Sequence, residues 1–226
     1  MILEMTRPVQ GGLRQERKLE AVSNHLANAD TAGFKKDVIS FDKEFRARMN
    51  TDLTQGFIEK TDNKLDLALK DEGFFKIDTN AGIRYTRNGN FTLDKNGALV
   101  DSSGNFVLGQ GGAIVANGTN IEINNSGEIR IDGVLKDKLD IITFENLTML
   151  QKEGSNNYVY KGDTRDEIEP SNIAVEQGAI EGSNVHVVDE MVSMIDHHRM
   201  YQIYQKMMIT FDEIDGKAIN DVGVLR

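Results

Sequence analysis

The residue types best suited to metal binding or proton transfer are the four histidines, His25, His186, His197 and His198. His197 and His198 are adjacent, so on a helix they point about 100° apart and cannot share one ion. His198 with His186 or Asp189 lacks the spacing of a helical zinc-ligand pair. All four read as surface or helix-interface histidines. Gly109-Gln110-Gly111-Gly112 has the glycine density of a phosphate loop, but no Lys-Ser/Thr follows and no helical pattern begins there. It reads as a turn between strands. Carboxylates are abundant, yet no pair is singled out as acid and base. The absence of cysteine excludes disulfides, thiolate metal sites and a thiol nucleophile. Tyr and Phe are spread through short β-like runs, where they serve a core better than a base-stacking platform. No catalytic, cofactor-binding or metal-binding residue is assigned, and no cofactor is expected.

Composition narrows the classes further. The chain has 226 residues and a formal net charge of -10. Nucleic-acid binding rests on clustered Lys and Arg, which this balance opposes. The charge is uneven: residues 1–60 hold 10 Lys/Arg against 9 Asp/Glu, and the remainder 16 against 27. No apolar run approaches the roughly 20 residues of a membrane span, so no membrane insertion is expected. The first residues, MILEMTRPVQGG, lack the apolar segment of a cleaved secretory signal. Two Pro with 21 Gly suggest regular elements joined by tight turns.

The elements that must do the positioning are two terminal helices and a β-rich middle. From Ser183 to about Ala218 the pattern is helical, about 45 Å if some 30 residues long. Ser183 or Asn184 can cap it, and Asp189 and Glu190 suit its positive end. Val188, Met191 and Ile195 form one stripe; Tyr204, Met207, Phe211, Ile214 and Ala218 form another. The two stripes fall out of register at His198 and Gln202. Met191, Met194, Met200, Met207 and Met208 make a soft, adaptable surface. Such a helix needs a partner, and Val9–Ala29 supplies one. Leu19, Val22 and Leu26 give it a narrow apolar seam with heptad spacing, the form of a coiled-coil-like contact. Gly33 follows in an Asn/Asp/Gly cluster and is suited to a left-handed conformation closing the helix.

Residues 35–64 read as an irregular or partly helical connector anchored by Phe41, Phe45 and Phe57. From Leu65 the period becomes two. Short runs such as Ile83–Thr86, Phe106–Leu108, Ile121–Ile123 and Glu128–Ile131 alternate with turn signals: Asn88-Gly89, Asn96-Gly97, Ser103-Gly104, Asn117-Gly118, Ser126-Gly127 and Asp132-Gly133. Leu139–Phe144, Tyr158–Tyr160 and Ile173–Ile180 extend the series. The expected class is mainly β with α-helical termini. An antiparallel β domain, as a sandwich or open barrel, is inserted between N- and C-terminal helices that pair. The expected boundaries are 1–34 and 181–226 for the helical part, 35–64 for the connector and 65–180 for the β domain.

Three separated motifs then converge on one family. Ser23-Asn24-His25-Leu26-Ala27-Asn28-Ala29-Asp30-Thr31-Ala32-Gly33-Phe34-Lys35 resembles the N-terminal signature of bacterial flagellar basal-body rod and hook proteins, with His25 in place of the usual Asn. Asp71–Phe75, Tyr85–Phe91 and Gly97–Val100 are similar to that family's β-domain pattern. Gly178–Val185, with Glu190-Met191, Met194-Ile195 and Arg199–Gln202, resembles its C-terminal signature.

The resemblance implies a structural subunit of the flagellar rod, nearer the proximal than the distal position. Family members pair their terminal helices into an inner layer and carry the β domain outside it. It further implies export through the flagellar type III apparatus without a cleaved signal, and a periplasmic location. The implied partners are copies of the chain, other rod proteins, hook–basal body components and the export apparatus, with no nucleic acid and no small-molecule substrate. The residues placed at the subunit interface are Leu19, Val22, Leu26, Asn28, Thr31, Gly33 and Phe34 at one end. At the other they are Ser183, Asn184, Val185, Val188, Met191, Met194, Ile195, Tyr201, Tyr204, Met208 and Phe211. Two rival readings are a β-rich surface or periplasmic binding module that oligomerises through its helices, and a wall hydrolase. The hydrolase reading lacks a distinct acid pair and an added domain.

Overall fold

A computed structural model describes residues 2–42, 46–118, 120–154 and 156–222. Their contacts gather into two compact units: one of Met1–Ala27, Asp37–Asn50 and Val185–Arg226, the other of Asn28–Lys36 and Thr51–Asn184.

The first unit is built on α1 (Ile2–Ala27), strands β1 (Asp37–Phe41) and β2 (Ala47–Thr51), and α2 (Val187–Val222). α1 starts seven residues before the helix expected from sequence and stops two residues earlier. Pro8 lies inside it, where the missing N–H removes one backbone hydrogen bond. The two helices pack antiparallel. Gly11 meets Tyr204, Lys18 lies in the field of His197, and His25 binds Glu190. These rungs advance by seven residues on each helix, the repeat of a coiled-coil seam. Pro8, Gly11, Gly12, Val22 and His25 are buried along α1, with Gln15, Leu19 and Leu26 half-buried between them. On α2 half-buried positions recur at Glu190, Met194, His197, Tyr201, Tyr204, Met208, Phe211 and Asp215, in alternating steps of four and three, with Ser193 and Gly216 half-buried beside them.

This seam corrects the stripes read from sequence. It runs through His197 and Tyr201 and is unbroken; His198 and Gln202 are exposed. Val188, Met191 and Ile195 are exposed too, on the face opposite the seam. Hydrophobicity alone picked the wrong face for the first stripe, because the seam there includes a glutamate and a histidine; of the second stripe, Tyr204 and Phe211 lie in the seam and Met207 and Ile214 are exposed. The connector also differs: it forms β1, β2 and β3 (Ile58–Lys60), with no helix among its described residues. The alternation in Asp37-Val38-Ile39-Ser40-Phe41 favours a strand, and the Arg14 guanidinium lies 4.9 Å from the Phe41 ring centroid. Phe45 lies outside the described residues.

The second unit is antiparallel throughout its strand ladders. It contains β3, β4 (Leu67–Leu69), β5 (Phe74–Thr79), β6 (Gly82–Thr86), β7 (Thr92–Leu93), β8 (Leu99–Val100), β9 (Phe106–Gly109) and β10 (Gly112–Ala113). After these come β11 (Ile121–Ile123), β12 (Glu128–Ile131), β13 (Val134–Lys138), β14 (Ile141–Phe144), β15 (Leu150–Lys152), β16 (Asn157–Tyr160), β17 (Glu167–Ile168), β18 (Val175–Gln177) and β19 (Ala179–Glu181). The largest sheet follows the path β15-β16-β6-β5-β9-β8-β7, with β10 on β9, and β14 joining β5 to β17. A three-stranded sheet, β11-β12-β13, turns at Asp132-Gly133, where both residues have positive φ as a type I′ hairpin requires. β18 pairs with β4, and β19 with β3.

β5 feeds two cores because its side chains alternate. Phe75 and Ile77 enter a large cluster with Leu67, Phe91, Val107 and Ile129. Phe74 enters a smaller aromatic one with Tyr85, Phe144 and Tyr158. Phe75–Phe91 and Tyr85–Phe144 meet edge to face at 5.2 and 4.9 Å, a favoured geometry for ring quadrupoles. Gln110-Gly111 turns between β9 and β10, with the Gly111 N–H donating to Asp137 Oδ1 at 3.1 Å, which accounts for that glycine cluster. Asn88-Gly89 makes no hairpin. Its glycine lets the backbone pass close to the Leu67 carbonyl.

Candidate assembly interface

In a chain with helices at both ends, the site to build is wherever those ends are anchored and whatever they leave uncovered. The residues placed at an interface from sequence fall into three groups.

The first group lies in the helix seam. Leu19, Val22 and Leu26 on α1 and Met194, Tyr201, Tyr204, Met208 and Phe211 on α2 hold buried or half-buried positions along it, and Val185 is buried just before α2. Polar rungs fix the seam's register, since a misplaced polar group would be buried without its partner. His25 is 4% exposed. Its Nε2 accepts the Asp37 backbone N–H at 3.0 Å, so Nδ1 carries the proton and donates to Glu190 Oε2 at 3.0 Å. One imidazole thus ties α1, α2 and β1 together. Further along, burial holds His197 below the ordinary histidine range, and the Lys18 ammonium pushes the same way.

The second group builds a junction inside the β-rich unit, where residues 28–36 meet residues 181–184. The Gly33 N–H donates to the Glu181 carbonyl at 2.7 Å, and the Asn184 N–H to the Phe34 carbonyl at 3.4 Å. At its centre lies a fully buried ion pair. Lys35 Nζ donates to Glu181 Oε1 at 2.5 Å and to the Thr54 carbonyl at 2.7 Å. Glu181 also accepts the Gly56 N–H at 3.0 Å, and Arg87 Nη1 approaches its other oxygen at 3.4 Å. Burial lowers the Lys35 pKa, with Glu181 opposing the shift, and burial lowers that of Arg87 as well. Asn184 accepts the Lys36 N–H at 2.8 Å and donates to the Asp52 carbonyl at 2.9 Å. Its side chain is spent on this junction instead of capping α2, whose first helical bond runs from Glu190 N–H to the His186 carbonyl. Thr31 closes a turn with Asn28 and Phe34, Ser183 is 2% exposed, and Phe34 lies beneath the Lys152 ammonium at 4.5 Å.

Lys35, Glu181 and Arg87 were not singled out from sequence. The available signal was the position of Lys35 and Glu181 within two motifs 146 residues apart, with opposite charges beside Phe34 and Ile180. Among the described residues no three His, Asp or Glu side chains are placed to hold a metal ion.

The third group is uncovered. Val188, Met191 and Ile195 are exposed, Val188 at 74%, and Val192, Ile203, Met207, Ile209 and Ile214 add to them. Most of these apolar side chains lie away from the seam, along the same helix. No helix among the described residues is long and apolar enough to cross a membrane, so the stripe is not part of a spanning segment.

Comparison with known proteins places these features in a family. Residues 176–221 match the family described as flagellar basal body rod FlgEFG protein C-terminal, and residues 68–131 match the flagellar hook protein FlgE/F/G D1 domain. The chain is 30% identical to the flagellar basal-body rod protein FlgG of Bacillus subtilis, over 97% of this chain and 99% of that one. It is 32% identical to FlgG of Buchnera aphidicola, over 88% and 92%. It is 29% identical to FlgF of Caulobacter vibrioides, over 92% of each. Likeness to the hook protein FlgE of Salmonella typhimurium covers only 44% of this chain. End-to-end similarity to two rod proteins, with both flagellar domains in order, establishes that the chain belongs to the flagellar basal-body rod family.

Proposed function

We propose that this chain is a structural subunit of the flagellar basal-body rod, and that it assembles through its terminal helices into the shaft that carries torque. The relatives' names support the rod, and the outward apolar stripe of α2 carries the mechanism. Monomeric soluble proteins rarely leave a long contiguous apolar surface uncovered. Each helix pair spends its inner seam within its own chain and offers the outer stripe to a neighbour. Repeated without closing, such a heterologous contact generates a filament. Val188, Met191, Val192, Ile195, Ile203 and Met207 are the proposed contact residues. The buried members of the interface set, such as Val22 and Asn184, act by holding the chain's own ends in place.

The chain works in the periplasm and reaches it through the flagellar export apparatus. It is not an enzyme, and its neighbours are copies of itself and other rod and hook–basal body proteins. A proximal position along the rod fits a chain with no large outer insertion. The test is to replace Val188 and Ile195, singly, with Asp. Monomers should keep their circular dichroism and melting temperature, while cells should lose swimming and isolated basal bodies should lack a complete rod. Normal rods and swimming in both variants would refute the reading.

A further inference from the structure

His25 is buried, and both of its ring nitrogens are committed. Nδ1 donates to Glu190 Oε2 on α2, and Nε2 accepts the Asp37 N–H at the start of β1, each at 3.0 Å. The two bonds respond oppositely to a proton. The first survives protonation and gains from it, because an imidazolium still donates from Nδ1 and then carries a charge beside the carboxylate. The second does not survive. A protonated Nε2 has no lone pair to offer, so two N–H groups would face each other across 3.0 Å. Protonation therefore tightens the tie between α1 and α2 and breaks this tie between α1 and β1.

The neighbouring elements bring acidic groups to this ring. α2 contributes the half-buried Glu190 carboxylate, and β1 contributes Asp37, also half-buried, whose N–H is the donor. On α1 the residues one turn back, Ala21 and Val22, carry no charge, and Glu20 is exposed and paired with Arg17 at 3.5 Å. Lys18 lies two turns back, in the field of His197. Asp189 on α2 and Arg48 on β2 are exposed. What the ring holds is a weak element. β1 and β2 form a two-stranded sheet of their own, and such a pair is only marginally stable without outside support. The stacking of the Arg14 guanidinium on Phe41 also joins β1 to α1, and that contact does not titrate in the histidine range.

We propose that His25 is a proton-operated latch: neutral, it pins the β1–β2 sheet to α1; protonated, it releases that sheet and keeps its grip on α2. An asparagine, the usual residue at this place in the N-terminal signature, cannot be switched in this way. The latch does not depend on the rod reading. The test is NMR of the full-length, nitrogen-labelled monomer between about pH 8 and pH 5, the range in which histidine changes charge. Imidazole nitrogen shifts follow the ring's protonation. Amide protection factors, corrected for the intrinsic pH dependence of exchange, follow the backbone. As the ring becomes doubly protonated, protection across Asp37–Phe41 should fall about tenfold, the loss of one ordinary hydrogen bond, while that of residues 19–26 holds or rises. His25→Gln offers Asp37 a non-titrating Oε1 in place of Nε2 and should keep protection across Asp37–Phe41 constant. Glu190→Gln removes the charge that the imidazolium pairs with and should move the release to lower pH. His197→Gln should leave it in place, which separates the latch from the acid sensitivity of the seam. A native ring that takes up its second proton with Asp37–Phe41 still protected would overturn the proposal, and that result requires no variant to fold. A ring that stays neutral throughout, an equal loss of protection in His25→Gln, or loosening of Asp37–Phe41 and α1 together would overturn it as well.

Discussion

Gly11 lies against the ring of Tyr204, so close that a Cβ at position 11 would overlap Cε1 and Cζ. Glycine inside a helix costs about 1 kcal/mol relative to alanine, and this contact accounts for its presence. Seven residues on, Lys18 meets the field of His197, and seven further His25 binds Glu190. A notch filled by a ring at one end and a buried hydrogen-bonded pair at the other allow one antiparallel register.

Gly11→Ala separates local propensity from packing. Propensity alone predicts a gain of about 1 kcal/mol. The overlap with Tyr204 predicts the reverse: faster amide exchange across α1 and a lower melting temperature for the helix pair. Tyr204→Leu in the same chain should restore part of the loss by clearing space. Slower exchange in Gly11→Ala would show that the ring moves aside freely and that the notch does not set the register.

That seam also shows how far the sequence could be read. The two helices, the β-rich middle and turns such as Asp132-Gly133 were legible because hydrophobic period and turn chemistry are local properties. The α2 face was not. Val188, Met191 and Ile195 are more apolar than Glu190, His197 and Tyr201, yet the latter face α1. A helix with apolar residues on two faces has no unique inward side by periodicity alone; the partner decides. Lys35 and Glu181 were illegible for a related reason, since charge suggests solvent until both partners are seen to be buried together.

His197 makes the helix pair sensitive to acid. Its folded-state pKa is lowered, first by burial and then by Lys18. The unfolded chain therefore takes up the proton first as pH falls below about 6.5. Its contribution to stability is present above that value and is lost as pH falls through the lowered folded one. Melting temperatures between pH 7.5 and 5 should decline in the native chain and decline less in His197→Gln. Identical slopes would place the acid sensitivity elsewhere.

Gly33 should tolerate no side chain. Its φ is +69°, and a Cβ would overlap the backbone of Arg87 and Asn88. A left-handed alanine alone costs about 1–2 kcal/mol. Gly33→Ala should therefore lower the denaturation midpoint of the β-rich unit by more than that cost requires. A midpoint equal to the native one would mean that the turn at 31–34 shifts without loosening the junction.

The Lys35–Glu181 pair is the sharpest test of the junction. Breaking one side of a buried ion pair typically costs about 3–5 kcal/mol, because the remaining charge is left uncompensated. Lys35→Met would strand Glu181 with only Arg87 and the Gly56 N–H. Glu181→Leu would strand Lys35 with the Thr54 carbonyl and leave Arg87 without its carboxylate. Each single variant should unfold the β-rich unit at markedly lower denaturant. The double variant should cost less than the two together, with the coupling concentrated in this contact. It should not recover fully, because Arg87 remains buried at 5% exposure. Strict additivity in the denaturation cycle would mean that the two charges are stabilised independently by their backbone partners. In that case the junction would be held by the Gly33–Glu181 and Lys36–Asn184 hydrogen bonds instead.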